Sequence, residues 1–277
     1  MRKDFVLLKD DTERISVSTF GNSNQSGSPC IILVHGFKGF KDWGFFPYTA
    51  EYFSKQGFFV LTFNFSHNGI GSNETEFTEL DLFAKNTFSR EVSELEFIIQ
   101  SLLSGKSGLP QKTNIILIGH SRGGAIAALT AGKFNEVSCL VLWASVCKLD
   151  RYTNRQKTEW KKDGKIDVLN TRTKQILSLN VSLLEDIEKN SSGSLNIQNS
   201  VASFHKPLLI VHGDQDVTVP VKEAYQLFDW ADKSSTSICI IEGTGHTFHV
   251  QHPFEGLNDK FERVLEKTNN FIKKNLN

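Results

Sequence analysis

The fold is decided by one stretch, which reads Ile115-Ile-Leu-Ile-Gly119-His120-Ser121-Arg122-Gly123-Gly124-Ala125-Ile-Ala-Ala128. The apolar residues at its start predict a short buried strand, and the small residues at its end predict a helix. Between them stands the pattern Gly-x-Ser-x-Gly, centred on Ser121. A serine on such a sharp strand-to-helix turn is held in strained backbone geometry, with its hydroxyl clear of the sheet. The stretch therefore predicts a nucleophilic serine at position 121.

Two other interpretations of this glycine-rich turn are a turn without chemistry and a phosphate-binding loop. The phosphate loop is disfavoured because the turn has no Gly-Lys-Ser/Thr ending and its glycines miss the dinucleotide-binding spacing. The helix that follows the serine aims its N-terminal N–H groups and its positive dipole end at the reaction centre. This arrangement favours the nucleophile.

Apolar runs and helical patterns alternate along most of the chain. Continuous apolar strands bounded by turns are typical of a parallel sheet that helices cover on both faces. We predict strands at residues 5–8, 14–20, 30–34, 58–65, 115–118, 137–143, 207–211 and 237–241. We predict helices at residues 48–55, 87–103, 125–133, 221–231 and 254–276.

The alternation breaks between residues 148 and 203, which are mostly polar and contain no apolar strand run. We expect this segment to be a helical cap that lies over one end of the sheet. The remaining residues, 1–147 and 204–277, then form one α/β core.

Composition excludes several classes of protein. The 277 residues include 31 Lys+Arg and 31 Asp+Glu, so the chain lacks the positive charge that drives sequence-independent binding to nucleic acid. Its longest apolar runs, such as residues 115–118 and 208–211, are far shorter than the roughly 20 residues that span a bilayer. Neither a nucleic acid nor a membrane is therefore an expected partner.

Residues 2 and 3 are basic, but charged residues at positions 9–11 interrupt the first apolar stretch, so we expect no signal peptide. The cysteines fit neither a zinc pattern nor a disulfide framework. We expect them to be reduced, buried thiols of a cytoplasmic protein. They are Cys30, Cys139, Cys147 and Cys239.

A nucleophilic serine needs backbone donors for the oxyanion that forms when it attacks a carbonyl group. The run of residues 30–34 ends in His35-Gly36-Phe37, where the chain can turn its N–H groups inward. We predict that the N–H groups of Phe37 and Arg122 are these donors. The His35 side chain is expected only to pack the loop.

The serine also needs a base and an acid that orients the base. The run of residues 207–211 is followed by Asp214 and Asp216, and we predict Asp216 as the acid. Asp214, which could instead stabilise the turn, and Asp150 are the alternatives. We predict His246 as the base, because it follows the last strand in a loop with flexible glycines beside it. The order Ser121, Asp216, His246 accompanies a nucleophile elbow.

His246, His249 and His252 form a cluster at three-residue intervals, which is also compatible with zinc. No clear acidic partner or second group of ligands accompanies them, so this alternative is disfavoured. We expect neither a metal nor a cofactor.

Four segments of this sequence together resemble the α/β-hydrolase family, and the resemblance runs over nearly the whole chain. Within the family, the chain is similar to small bacterial serine esterases of the cinnamoyl/feruloyl type and to serine aminopeptidase-type hydrolases. The resemblance implies a mostly parallel eight-stranded sheet, a Ser-His-Asp triad, no cofactor, and a cap that selects substrate. The matching segments are His35-Gly36-Phe37, Gly119-His-Ser-Arg-Gly-Gly124, His212-Gly-Asp-Gln-Asp216-Val-Thr-Val-Pro220 and Gly243-Thr-Gly-His246.

The sequence departs from the family pattern at two places. Residues 64–72 read Asn-Phe-Ser-His-Asn-Gly-Ile-Gly-Ser where relatives usually carry Asp-x-Arg-Gly-His-Gly-x-Ser. Position 122 is Arg, where many relatives have Met or Gln. Neither departure removes a member of the predicted triad.

The expected activity is hydrolysis of small-molecule carboxylic esters with small or aromatic acyl groups. A peptidase, an amidase or a thioesterase with the same triad is an alternative, as is a non-catalytic protein that binds a small molecule. Trp160 and His120 are the candidate substrate-binding residues. Trp160 and the aromatic residues between 40 and 46 could line an acyl pocket or belong to the core. Residues 151–174 carry eight basic and three acidic side chains, which could steer an anionic acyl group or form a solvated helix face.

Overall fold

The computed structural model describes residues 2–9, 13–22, 28–72 and 75–276. Its strands are β1 (Lys3–Leu8), β2 (Arg14–Phe20), β3 (Cys30–Val34), β4 (Phe59–Phe63), β5 (Ile115–His120), β6 (Val137–Trp143), β7 (Lys165–Leu169), β8 (Ile176–Asn180), β9 (Leu208–Gly213) and β10 (Thr236–Ile241). Its helices are α1 (Phe46–Lys55), α2 (Leu80–Ala84), α3 (Phe88–Ser104), α4 (Arg122–Ala131), α5 (Asn154–Asp163), α6 (Val181–Asn190), α7 (Ile197–Ala202), α8 (Lys222–Trp230) and α9 (Asp259–Asn275).

Eight strands form one sheet in the order β1-β2-β4-β3-β5-β6-β9-β10. The six strands from β4 to β10 in that order are mutually parallel, and β2 is antiparallel to both of its neighbours. The predicted fold class, a mostly parallel eight-stranded α/β sheet, is confirmed. Because the central strands are parallel, the loops that follow their carboxyl ends meet along one edge of the sheet.

Both faces of the sheet are buried, which explains the uninterrupted apolar runs in the sequence. Successive side chains of a strand point to opposite faces. In β3, Ile32 and Val34 pack in the layer that contains α3 and α4, whereas Ile31 and Leu33 pack in the layer that contains α1 and α9. None of the helices in the described ranges has both the length and the apolar character that a membrane crossing requires.

The segment between β6 and β9 is not wholly helical. It contains α5, α6 and α7, but also a hairpin in which β7 and β8 pair antiparallel and form a separate two-stranded sheet. The sequence analysis predicted no strand here. Both hairpin strands are short and partly exposed, so polar residues interrupt the apolar pattern that reveals a buried strand.

Two predicted helix starts differ from the structure by three residues or more. Helix α4 begins at Arg122 rather than at residue 125, directly after the turn at Ser121. Helix α9 begins at Asp259 rather than at residue 254, because the Asn258 side chain caps it by accepting hydrogen bonds from the N–H groups of Lys260 and Phe261, both at 3.0 Å. The short helix α2 was not predicted.

Helix α3 carries a buried carboxylate that holds the loop after β4. Glu94 accepts a hydrogen bond from the backbone N–H of Ser66 at 2.8 Å and another from the Ser66 hydroxyl. Burial raises the pKa of Glu94 to about 7, although both hydrogen bonds from Ser66 act in the opposite direction. The folded protein therefore binds a proton at this carboxylate more tightly than the unfolded chain does.

The substitution Glu94→Gln should change how stability depends on pH. In the wild type, the raised pKa stabilises the fold below about pH 4.5, and this contribution is lost as the pH rises to about 7. Gln does not titrate, so the variant does not lose this contribution. The free energy of unfolding of the variant, compared with that of the wild type, should therefore be higher at pH 8 than at pH 4.5 by up to roughly 3 kcal/mol. Urea unfolding of both proteins at the two pH values measures the difference. Parallel pH dependence in the two proteins would contradict the assignment.

Candidate active site

Ser121 lies on a strained turn between β5 and α4. Its backbone angles are φ 58° and ψ −124°, in a region that residues with a side chain rarely adopt. Its own N–H donates to the Trp143 carbonyl at 2.9 Å. A Cβ atom on Gly119 would lie 2.4 Å from the Gly123 carbonyl oxygen, and one on Gly123 would lie 2.3 Å from the Val34 carbonyl oxygen. The turn therefore requires both glycines of the Gly-x-Ser-x-Gly pattern.

The structure brings together the three side chains that the sequence analysis predicted as a triad. The His246 Nε2 atom lies 2.9 Å from the Ser121 Oγ atom, and the His246 Nδ1 atom lies 2.7 Å from the Asp216 Oδ2 atom. In this geometry His246 Nδ1–H donates a hydrogen bond to the Asp216 carboxylate. The unprotonated Nε2 atom accepts a hydrogen bond from the Ser121 hydroxyl. A hydroxyl, an imidazole and a carboxylate thus form one continuous chain of hydrogen bonds.

Asp216 is charged although its side chain is fully buried. Its Oδ1 atom accepts hydrogen bonds from the N–H groups of Thr218 and Val219 at 2.9 and 2.8 Å. The Nε2 atom of His212 lies 3.3 Å from Oδ2. Burial acts to raise the pKa of Asp216, but the hydrogen bonds from His212, His246 and the backbone outweigh it and hold the pKa well below its usual range. The carboxylate therefore stays ionised and can orient His246.

The two alternative acids have other partners. Asp214 accepts hydrogen bonds from the N–H groups of Gly243 and Thr244 at 2.7 and 3.3 Å, so it supports the loop that carries His246. Asp150 binds the ammonium group of Lys157 in α5. Of these carboxylates, Asp216 is the one that contacts the imidazole.

His120 contacts the backbone of His246. Its Nε2 atom lies 2.9 Å from the His246 carbonyl oxygen, and its ring contacts the Phe45 ring edge-on at 5.1 Å. Burial lowers the pKa of His120 to about 3, and the neighbouring His246 adds to this effect. The ring is therefore neutral, and its Nε2–H donates to the carbonyl. His120 therefore holds the backbone of the His246 loop. Its ring also lies in the wall of a cavity beside Ser121, so the substrate contact predicted from the sequence stays a prediction.

The two predicted oxyanion donors flank the serine. In the described part of the chain, neither the backbone N–H of Phe37 nor that of Arg122 donates to a protein acceptor. The loop approaches closely at Gly36, where a Cβ atom would lie 2.9 Å from the Ser121 Cβ atom. The His35 side chain packs this loop, as expected: its Nε2 atom accepts from the Phe65 N–H at 3.3 Å, and its Nδ1 atom lies 3.0 Å from the Gly36 carbonyl oxygen.

The Arg122 side chain forms a buried ion pair. Its guanidinium lies 2.9 Å from the Glu91 carboxylate and 4.6 Å from the centre of the Phe37 ring. Burial raises the pKa of Glu91, and the charge of Arg122 counteracts this effect. The departure from Met or Gln at position 122 thus comes with a matching carboxylate on α3, and it links the two predicted donor residues.

Two cavities meet at Ser121. The smaller has a volume of about 140 Å³ and a mostly apolar wall that includes Phe37, Phe88, Val146, Leu149 and Tyr152. The larger has a volume of about 380 Å³, and its wall includes His120, His246, Trp43, Phe46 and residues 170–172 of the β7–β8 turn. Ser121, Phe37 and Thr218 belong to both walls. The serine hydroxyl therefore lies between two separate binding spaces.

Trp160 lines neither cavity, which corrects the sequence-based prediction. Its side chain is 1% exposed, its Nε1–H donates to the Leu179 carbonyl at 2.9 Å, and its ring contacts the Tyr152 ring. It belongs to the core, which was the alternative interpretation. The aromatic residues between 40 and 46 divide: Phe40 and Phe45 are fully buried, whereas Trp43 and Phe46 reach the larger cavity.

The three histidines near the end of the chain do not converge. His246 binds Asp216, His249 is exposed, and the His252 Nδ1 atom accepts from the Gly44 N–H at 3.0 Å. Among the described residues, no group of three or more His, Cys, Asp or Glu side chains is arranged to hold a metal ion. The four cysteines are free thiols, and Cys30, Cys139 and Cys147 are buried.

The sequence analysis missed His212, Thr218 and Arg172. His212 ends β9 in a His-Gly pair like that of residues 35–36, and this repeated pair was the available signal for its structural role. No sequence pattern marked Thr218 as a residue of the site. Arg172 was visible only as one member of a basic segment, and the hairpin turn places it in the larger cavity.

Comparison with known proteins agrees with this fold. Residues 29–164 match the family model described as the alpha/beta hydrolase fold. A Mycoplasma genitalium protein provisionally named esterase/lipase 2 is 26% identical over 96% of this chain and 99% of its own length. Human monoglyceride lipase is 24% identical over 72% of this chain and 71% of its own length. The structure of Est1E from Butyrivibrio proteoclasticus with bound ferulic acid is 18% identical, with a TM-score of 0.72 over 96% of this chain and 97% of that one.

A parallel sheet with a strained serine at the carboxyl end of β5 defines a class of proteins built around a nucleophile elbow. The chain has the α/β-hydrolase fold, and it is similar to esterases and lipases that share this fold.

Proposed function

We propose that the protein is a serine hydrolase that cleaves carboxylic esters through Ser121, His246 and Asp216. The observation that carries the proposal is the continuous hydrogen-bonded chain from the Ser121 hydroxyl through His246 to the buried Asp216 carboxylate. A structural serine has no need of an imidazole that a carboxylate orients. The names of the relatives, which include esterases and lipases, support the same reaction.

The reaction has two halves. The Ser121 oxygen attacks the ester carbonyl while His246 Nε2 takes the hydroxyl proton, and the imidazolium gives that proton to the leaving alcohol. This step forms the bond from Oγ to the acyl carbon and breaks the bond to the alkoxy oxygen. Water then attacks the acyl-enzyme, with His246 again as the base, and releases the acid. Asp216 stabilises the imidazolium in both halves.

The N–H groups of Phe37 and Arg122 stabilise the oxyanion of both tetrahedral intermediates. In another hydrolase, loss of one such donor costs about 3–4 kcal/mol of transition-state stabilisation. The ion pair between Arg122 and Glu91 and the contact between Arg122 and Phe37 hold the two donor residues against each other. Neither donor needs a side chain of its own for this role.

The two cavities have different roles because only one of them contains the base. His246 must reach the oxygen of the leaving alcohol, so the larger cavity takes the alcohol and the smaller takes the acyl group. A cavity of about 150 Å³ holds one benzene molecule. The smaller cavity, at about 140 Å³, therefore suits a short aliphatic acyl group or a single aromatic ring. Residues 170–172 contribute to the larger cavity, which supports a role of the segment 148–203 as a cap.

The substitutions Ser121→Ala and His246→Asn should both abolish the reaction. Hydrolysis of para-nitrophenyl acetate should fall by about 10⁵-fold or more, the size of the effect in a serine protease. A fluorophosphonate should label Ser121 of the wild type and should not label the His246→Asn variant, because the serine is activated only by the imidazole. His249→Asn is the matched control, since His249 is exposed in the same loop. Wild-type turnover by Ser121→Ala would refute the proposal.

The substitution Asp216→Asn should lower kcat by about 10³–10⁴-fold, because an amide at this position favours the wrong imidazole tautomer. Asp214→Asn should lower kcat less than about tenfold, since its amide oxygen can still accept from Gly243 and Thr244. Kinetics with para-nitrophenyl acetate measures both variants. Equal losses in the two variants would mean that Asp216 acts only through the structure of the loop.

The acyl preference should follow the size of the smaller cavity. We expect kcat/KM to be high for acetyl, butyryl and benzoyl esters and to fall steeply for decanoyl esters. Leu149 lies in the wall of this cavity, so the substitution Leu149→Ala enlarges the cavity. It should raise the rate for longer acyl groups relative to that for short ones. Leu195→Ala is the matched control, because Leu195 is buried away from Ser121. A higher rate for decanoyl than for butyryl esters in the wild type would contradict the assignment of the cavities.

A further inference from the structure

The larger cavity beside Ser121 has charged side chains of one sign. Among the described residues of its wall, Lys38 and Arg172 are basic and none is acidic. The chain as a whole has no net charge, so this excess is local, and Arg172 belongs to the basic segment of residues 151–174.

Arg172 has no carboxylate partner within the described chain. The other arginines near Ser121 are paired: Arg122 with Glu91, and Arg151 with Glu223 at 2.7 Å. The Arg172 guanidinium instead lies 5.6 Å from the centre of the Phe40 ring and 5.9 Å from the centre of the Phe77 ring. Burial lowers the pKa of Arg172. Although the residue is exposed overall, its guanidinium lies against two aromatic rings, and its planar N–H groups are free to donate.

Asn170 supplies a second unpaired donor in the same turn. The residue is 4% exposed, and within the described chain its Nδ2 atom has no acceptor. Its Oδ1 atom accepts a hydrogen bond from the backbone N–H of Arg172 at 3.3 Å, which fixes the orientation of the Asn170 side-chain amide. Lys38, in the loop that follows β3, donates to the Leu169 carbonyl at 3.2 Å and keeps N–H groups for another acceptor. A buried donor without an acceptor is costly, and an oxygen-rich ligand removes that cost.

We propose that this cavity binds esters whose alcohol part carries an anionic group, a carboxylate or a phosphate, and that Arg172 is the residue that selects them. The inference rests on the proposed function, because the presence of His246 in this wall assigns the cavity to the alcohol. The guanidinium matches the geometry of either anion in a bidentate contact, and Asn170 and Lys38 add donors beside it. The smaller cavity also has basic residues in its wall, but Arg122 and Arg151 are paired with carboxylates there.

The test compares esters that share an acetyl group and an aromatic alcohol. They are meta-acetoxybenzoate, meta-acetoxyphenyl phosphate and the neutral meta-acetoxybenzamide. We expect Arg172→Gln to reduce the ratio of kcat/KM for an anionic ester to that for the neutral ester by about 10–100-fold, mainly through KM. The intrinsic reactivity of each ester is the same for both proteins and cancels. The anion with the larger loss identifies the natural group as a carboxylate or a phosphate.

Two further variants separate charge recognition from structural damage. Arg172→Lys keeps the charge and should retain part of the preference. Arg155→Gln removes an arginine that is 86% exposed on α5 and pairs with Glu159, and it should leave the ratio unchanged. An unchanged ratio in Arg172→Gln, or an equal reduction in both arginine-to-glutamine variants, would overturn the proposal.

A binding measurement distinguishes failure of this inference from failure of the proposed reaction. Calorimetric titration of the Ser121→Ala protein with meta-hydroxybenzoate should show binding that the additional change Arg172→Gln weakens at least tenfold. If no ester is hydrolysed but this loss is observed, the anion site stands and the reaction is wrong. If the esters are hydrolysed and the affinities are equal, the reaction stands and the anion site is wrong.

Discussion

The structure of the site depends on keeping one negative charge, that of Asp216, out of water. The backbone of the loop that follows β9 supplies two N–H groups to its carboxylate, and His212 lies against the same side chain. These contacts replace the lost hydration, so the carboxylate remains a strong acceptor for His246. Because the carboxylate fixes one nitrogen of the imidazole, the other is left unprotonated and faces Ser121. The strained turn at Ser121 is useful only because this chain of contacts ends at its hydroxyl.

The parts of the site that could be predicted from the sequence are those that local patterns determine. A strand, a Gly-x-Ser-x-Gly turn and a helix lie within a few positions of one another, and parallel strands necessarily bring the loops of Asp216 and His246 to the same edge of the sheet. The roles of Trp160 and His120 depend instead on distant partners, the Leu179 carbonyl and the His246 carbonyl. An indole or an imidazole suits a core and a pocket equally well, so residue type alone does not decide between them.

The β7–β8 hairpin escaped prediction for a related reason. Its strands pair with each other and not with the large sheet, and their exposed faces carry polar residues, so the apolar pattern is weak. The ion pair between Arg122 and Glu91 was equally hidden, because the two residues are 31 positions apart and both look like ordinary surface charges in the sequence. Tertiary structure removes these charges from water and gives them a fixed partner.

The separate pairing of this hairpin has an evolutionary consequence. Ser121, Asp216 and His246 all follow strands of the large sheet, whereas Asn170 and Arg172 lie on a turn that contributes no strand to it. Insertions, deletions or substitutions in that turn can alter which molecules enter the larger cavity. They need not shift any atom of the triad residues. Evolution can therefore change the range of molecules that the cavity admits and leave the arrangement of Ser121, His246 and Asp216 unchanged.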